Sequence, residues 1–93
     1  MPERLQILRY EYVDDIEERR GEYREAHLAA IRRYADDHRI VIAGAVGDPV
    51  RSGLLVFREA ADAEAFAEAD PYVKAGLVAR RTVEPWNVVT PVP

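Results

Sequence analysis

The chain has 93 residues, 48% of them hydrophobic and 32% charged, with 17 acidic side chains against 13 basic ones, two histidines and no cysteine. That length suits one domain over 1–93, and the missing cysteine excludes a disulfide framework, a thiolate nucleophile and a cysteine-based zinc site. A net charge of −4 lacks the basic excess behind nucleic-acid affinity; the longest apolar run, Ile40–Val46, is too short to cross a bilayer, and Met1-Pro2-Glu3-Arg4 does not open a signal peptide, so no membrane contact and a cytoplasmic location are expected.

Leu5–Val13 is rich in β-branched and aromatic residues and reads as a strand. Asp14 and Asp15 offer N-cap oxygens, with Glu17 and Glu18 as capping-box partners, and a helical pattern then runs to about Asp37. Tyr23, Ala26, Ala30, Ile31 and Tyr34 fall at helical spacing and define its apolar stripe. Gly21 interrupts that pattern, making Asp15–Arg20 a candidate separate turn. Ile40–Val46 and Gly53–Phe57 are continuous apolar strands, joined into a hairpin by the turn residues Gly47-Asp48-Pro49. Asp62 is expected to cap a short helix over Ala63–Ala69, and Asp70-Pro71 to start a further helical turn that Gly76 ends. Val78–Val89 is the last strand; Pro85 within it favours a sheet edge.

The order β-α-β-β-α-β is the ferredoxin-like pattern of the α+β class: a four-stranded antiparallel sheet with helices on one face. The second face of such a sheet normally meets water and alternates with polar residues. Ile40–Ala43 and Leu54–Phe57 are apolar on both parities instead. A second copy of the chain is the expected cover, as a homodimer packed sheet to sheet.

His27 is four residues after Tyr23 and four before Ile31, so it falls on the buried stripe. It is either a core histidine satisfied by one hydrogen bond or a proton-transfer group. Arg20, Arg24 and His27 stand at i, i+4 and i+7 and share a face provided Gly21 does not break the helix. A histidine beside two arginines is suited to holding an anionic substrate and exchanging a proton with it; the plainer role for the arginines is pairing with Glu17, Glu18, Glu22 or Glu25. Asp70 is a helix cap whose second oxygen is free to orient an imidazole, fixing the tautomer and raising the basicity of the far nitrogen. His38, at the helix end, is expected to lie against the last carbonyls. Ser52 is either a donor to a substrate oxygen or an ordinary turn serine. The two histidines lack carboxylates at ligand spacing, so no metal is expected. No glycine-rich phosphate loop precedes a helix. Leu54–Phe57 lacks the exposed aromatics and basic residues of an RNA-reading strand.

Arg24-Glu25-Ala26-His27-Leu28, Ala43-Gly44, Ala69-Asp70-Pro71-Tyr72-Val73-Lys74-Ala75-Gly76-Leu77 and Val83-Glu84-Pro85-Trp86 together resemble the YCII-related (YciI-like) family in order and spacing, from about Leu5 to Trp86. The resemblance implies a dimeric α/β-barrel of two ferredoxin-like protomers and an active site around a His–Asp pair, matched by His27 and Asp70. Arg20 and Arg24 match upstream basic positions, and Tyr72, inside the aspartate motif, joins them and Ser52 as a candidate substrate contact. Most members have no assigned reaction; one branch resembles dehydrochlorinases of chlorinated hydroxyquinols, and fold relatives include muconolactone isomerases. The chain departs from the family where His38 replaces a usual glycine, where Gly44-Ala45 replaces a frequent Gly-Pro, and in its short Gly47–Ser52 connection, which is expected to help shape the pocket.

The expected function is therefore a cofactor-independent lyase or isomerase acting by acid–base chemistry on a small anionic or aromatic substrate. The alternative is a non-catalytic dimeric module that binds a ligand or a protein, with His27 and Asp70 bonded only for structure.

Overall fold

Alternation along the first strand sorts the whole sheet into two faces. The computed structural model describes residues 3–92. In it, β1 (Glu3–Tyr12) lies between β3 (Ser52–Phe57) and β4 (Val78–Val88), while β2 (Ile40–Val46) pairs with the outer side of β3, all antiparallel, in the order β2-β3-β1-β4. Leu8 stands opposite Leu55 on one side and Val83 on the other, and these residues turn toward the helices. Ile7, one residue earlier, faces the other way with Val56 and Glu84. This is the expected α+β, ferredoxin-like arrangement.

The helices α1 (Ile16–Arg19), α2 (Gly21–Asp36), α3 (Ala60–Ala69) and α4 (Pro71–Lys74) supply the cover. The main core joins Leu8, Tyr10, Leu55 and Phe57 of the sheet to Ala30 of α2 and to Ala63, Phe66 and Ala67 of α3. Phe66 packs edge-on against Tyr34 at 5.1 Å and tilted against Phe57 at 5.6 Å. A smaller cluster of Ile16, Tyr72 and Leu77 closes the end at which α1 and α4 meet.

The interruption at Gly21 does separate α1 from α2. Arg20 between them nevertheless keeps right-handed helical angles (φ −74°, ψ −19°), so the face it shares with Arg24 and His27 survives the break. Asp70 caps α4 as expected, accepting from the Tyr72 N–H at 3.0 Å with Pro71 in the first turn. Gly76, at φ 75°, ends that helix: its N–H reaches Val73 O and the Leu77 N–H reaches Tyr72 O, the paired bonds of a left-handed helix stop. Pro85 sits on the edge strand β4, where its missing donor costs no ladder bond to a further strand.

Three local expectations are corrected. Asp15 occupies the N-cap position of α1 without a side-chain cap bond and turns instead toward Arg19 at 3.5 Å. Asp62 caps nothing: α3 starts earlier, because Ala60 and Ala61 extend it readily, and Glu59 is its N-cap residue. Ala26 points outward, so the buried stripe of α2 runs through His27 and Ala30, with Ile31 and Tyr34 half-buried.

The face away from the helices is divided. Ile42, Leu54, Val56 and Trp86 line an apolar groove across it, with Ile42 56% and Trp86 45% exposed. Further along, Arg9 meets Glu84 at 3.6 Å and Arg80 meets Glu11 at 3.9 Å.

His38 ends α2 in a conformation that glycine favours. Its φ is 61°; its N–H bonds Ala35 O and the Arg39 N–H bonds Tyr34 O. The backbone thus satisfies the last carbonyls that the imidazole was expected to meet. A side chain in this region is strained by about 1–2 kcal/mol, so His38→Gly should stabilise the protein by about 1 kcal/mol and raise its melting temperature by about 4–8 °C. An unchanged or lower midpoint in a thermal melt would contradict that strain.

Candidate active site

The site is built on Asp70, held at the junction of α3 and α4 and only 1% exposed. Its carboxylate takes three donors. His27 Nδ1 lies 2.8 Å from Oδ1 and 3.0 Å from Oδ2, the Tyr10 hydroxyl donates to Oδ2 at 2.8 Å, and the Tyr72 N–H donates to Oδ1. An ionised carboxylate only accepts, so Nδ1 must carry a proton, and in the neutral ring Nε2 holds the lone pair. The imidazole is fixed from the side as well: it stacks on the Tyr72 ring at 3.8 Å with 6° between planes, and Phe66 meets it edge-on.

His27 is 5% exposed, and that remnant matters. Among the described residues no buried side-chain nitrogen or oxygen lacks a partner. Nε2 makes no bond to any described residue, so it opens to the space beside it. That space is a cleft of about 240 Å³ bordered by Tyr12, Arg20, Arg24, His27, Tyr72 and the Ala43–Ala45 stretch of β2. Leu28, Ile31 and Leu55 give it an apolar side. A cavity of about 150 Å³ accommodates benzene, so this one suits a single substituted ring.

Arg20 and Arg24 reach the cleft together with His27, as their spacing required. Among the described residues neither guanidinium pairs with a carboxylate; the ion pairs use Arg9, Arg19, Arg39, Arg58 and Arg80. Their charge is felt nonetheless. Burial raises the Tyr72 phenol above its ordinary range, while Arg20 and Arg24 pull it back.

Tyr72 borders the cleft; Ser52 does not. Ser52 opens β3 between Glu11 and Val46, on the parity of Leu54 and Val56, which faces away from the helices. The hairpin loop before it supplies no cleft residue either; the Val50 N–H is tied to Glu17 on α1 at 2.7 Å. His38 is exposed at the other end of α2, and the described residues contain no set of three metal-ligating side chains.

Tyr10 and Tyr12 also stand at the site, although no local motif in the sequence marks them. Tyr10 lies on the inward parity of β1 beside Leu8, and a buried tyrosine hydroxyl needs a partner. That requirement was legible; the identity of the partner, sixty positions away, was not.

A helix-backed antiparallel sheet with a buried His–Asp pair beside a cleft bordered by two arginines describes a ferredoxin-like domain. The chain belongs to the YCII-related family: the family's domain matches residues 5–87. It is 34% identical over 83 positions to the protein YciI of Escherichia coli O6:H1 and, equally, to that of Shigella flexneri, covering 77% of this chain and 85% of each relative. Among solved structures it is similar to the 5-chloro-2-hydroxyhydroquinone dehydrochlorinase TftG of Burkholderia phenoliruptrix, in complex with 2,5-dihydroxybenzoquinone. The TM-score is 0.74 at 24% identity, over 89% of this chain and 93% of that one.

Burial foremost, then the Asp70 charge, holds the Tyr10 phenol far above its ordinary 10.0, and burial does the same to Tyr12. Above pH 10 the unfolded phenols lose protons that the folded state keeps, so stability falls as pH rises past that value. Tyr10→Phe should cost about 1–3 kcal/mol at neutral pH, because Asp70 loses a donor it cannot replace from water. The same variant should show a shallower alkaline decline in urea-denaturation midpoints; an equal decline would show that Tyr10 does not carry it.

Proposed function

We propose that this protein is a small-molecule enzyme of lyase or isomerase type, in which His27 moves a proton and Asp70 orients it. The observation that carries this reading is the His27 ring, locked through Nδ1 by a buried carboxylate while Nε2 opens to a cleft with two arginines that pair with no carboxylate among the described residues. In the sequence of events it implies, Nε2 takes a proton from a hydroxyl or an activated carbon of the substrate. Arg20 and Arg24 stabilise the resulting oxyanion. The imidazolium, held by Asp70, then returns the proton to a different atom, or a leaving group departs with its bonding pair. The substrate class that fits is a single-ring or similarly small anion. A protein of the same fold being a dehydrochlorinase supports the elimination branch. None of these steps calls for a cofactor.

The competing reading is a binding module in which the pair serves only stability. Saturation of Asp70 by three donors favours it, since a fully bonded cap needs no further purpose. The two readings part on turnover. With a panel of chlorinated hydroxyquinols and enol lactones, His27→Ala should lower kcat/KM by about 10²–10⁴-fold. Asp70→Asn should also lower it, by removing the acceptor that sets the tautomer. Turnover that survives His27→Ala in a folded protein would end the catalytic reading. Loss of thermal stability with no turnover in any variant would favour the module.

We further propose that the working unit is a homodimer joined through the open sheet face. Its support is an exposed Ile42 and Trp86 flanked by Leu54 and Val56, more apolar surface than a lone sheet normally leaves to water, and a chain small enough to gain from a shared core. Ile42→Asp combined with Trp86→Glu should convert a particle of twice the chain mass into one of single mass in light scattering. A wild-type particle of single mass at micromolar concentration would overturn this.

A further inference from the structure

We propose that Tyr12 is a further polar contact of the cleft: its hydroxyl donates a hydrogen bond to the substrate oxygen on which negative charge develops, and Gly53 provides the seat that admits it. This rests on the reading of the cleft given above and adds a residue and a specificity to it.

Tyr12 ends β1, just past an irregularity in the pairing with β4 between Glu11 and Tyr12, and it borders the cleft. Its ring meets Tyr72 edge-on at 6.0 Å, and Tyr72 in turn stacks on His27 at 3.8 Å. On its other side Tyr10, the donor to Asp70, lies at 5.9 Å. The phenol is therefore braced by both tyrosines that brace the His–Asp pair. Its hydroxyl has no bonding partner among the described residues, and since no buried polar side-chain atom there is left unpaired, the oxygen keeps access to solvent on a residue that borders the cleft. Burial foremost, with Tyr72 and Asp70 adding to it, disfavours ionisation of this phenol. A phenol that keeps its proton is a donor, complementary to an anion.

Gly53 gives the second, independent observation. It is buried in β3, paired with both Tyr10 and Ala45. A glycine inside a paired strand packs nothing and weakens it. No positive φ calls for it there. Space does: a Cβ at this position would stand 2.6 Å from the Tyr12 hydroxyl oxygen and 3.2 Å from Cζ. The clash falls on the tip of a side chain and not on backbone, so a larger residue would displace the hydroxyl and leave the strand in place. The two arginines supply charge from long, mobile side chains. Tyr12 supplies direction from a fixed one, selecting a planar anion with an oxygen at the His27 end of the cleft.

The test titrates 2,5-dihydroxybenzoquinone, a planar single-ring oxyanion, into the full chain by calorimetry, with circular dichroism as a check on folding. Tyr12→Phe should weaken binding by about tenfold, the worth of one bond to a charged group. Gly53→Ala should do the same, and in the Tyr12→Phe background it should add less than about twofold, because the atom it displaces is gone. Binding lost in Arg24→Gln but retained within about twofold in Tyr12→Phe would overturn this inference and leave the cleft reading standing. Effects of the two substitutions that multiply would also overturn it, since Gly53 would then act elsewhere. No binding to the wild-type protein would overturn the cleft reading and this inference with it.

Discussion

A carboxylate with 1% exposure organises this molecule. Removing a charge from water costs several kcal/mol unless hydrogen bonds replace the lost hydration. At Asp70 that replacement comes from His27 on α2, Tyr10 on β1 and the Tyr72 N–H on α4. Misplacing any of these elements leaves the carboxylate short of a donor. One buried group thus couples the packing of helix on sheet, the start of α4 and the orientation of the imidazole. The bond that stabilises the fold is also the bond that places the lone pair on Nε2, so structure and chemistry share one interaction.

The second organising constraint is the division of the sheet. The helix-facing side is filled by large apolar groups from three strands against alanine-rich helices, which brings α3 close and carries Asp70 down toward β1. The cleft forms where that packing runs out, between α2 and the edge strand β2, with Arg20 and Arg24 at its border. On the opposite side the apolar groove and the Arg9–Glu84 and Glu11–Arg80 pairs form distinct halves. Local preference gives way to other demands at two positions. His38 adopts a left-handed stop, and Gly53 interrupts a buried strand where the Tyr12 phenol needs room.

Several elements were legible because their signals are local. Ile40–Val46 reads as a strand from its continuous apolar run and is one. Asp70-Pro71 reads as a capped helix start because both residues act within a few positions of themselves. The separation at Gly21 belongs to the same class. Failures arose where a local signal competed with something distant. Asp15 and Asp62 are good cap residues, yet one turns to an arginine and the other is overtaken by two alanines. Ser52 resembles a substrate donor, but its side follows from which parity of β3 meets the helices, a matter of register with β1. Ala26 fits a helical stripe by its spacing but is exposed in the fold.

By itself the sequence determined the order of elements, the buried side of His27, the common face of Arg20, Arg24 and His27, and the capping role of Asp70. All of these follow from helical and strand periods acting over a few residues. Only the tertiary structure decided that Asp70 meets Nδ1 of His27, that Tyr10 completes the carboxylate, that Nε2 reaches open space and that Tyr12 shares it. These contacts join residues that are forty to sixty positions apart, and no periodicity encodes them. They depend on strand order, register and the depth at which the alanine-rich helices settle on the sheet.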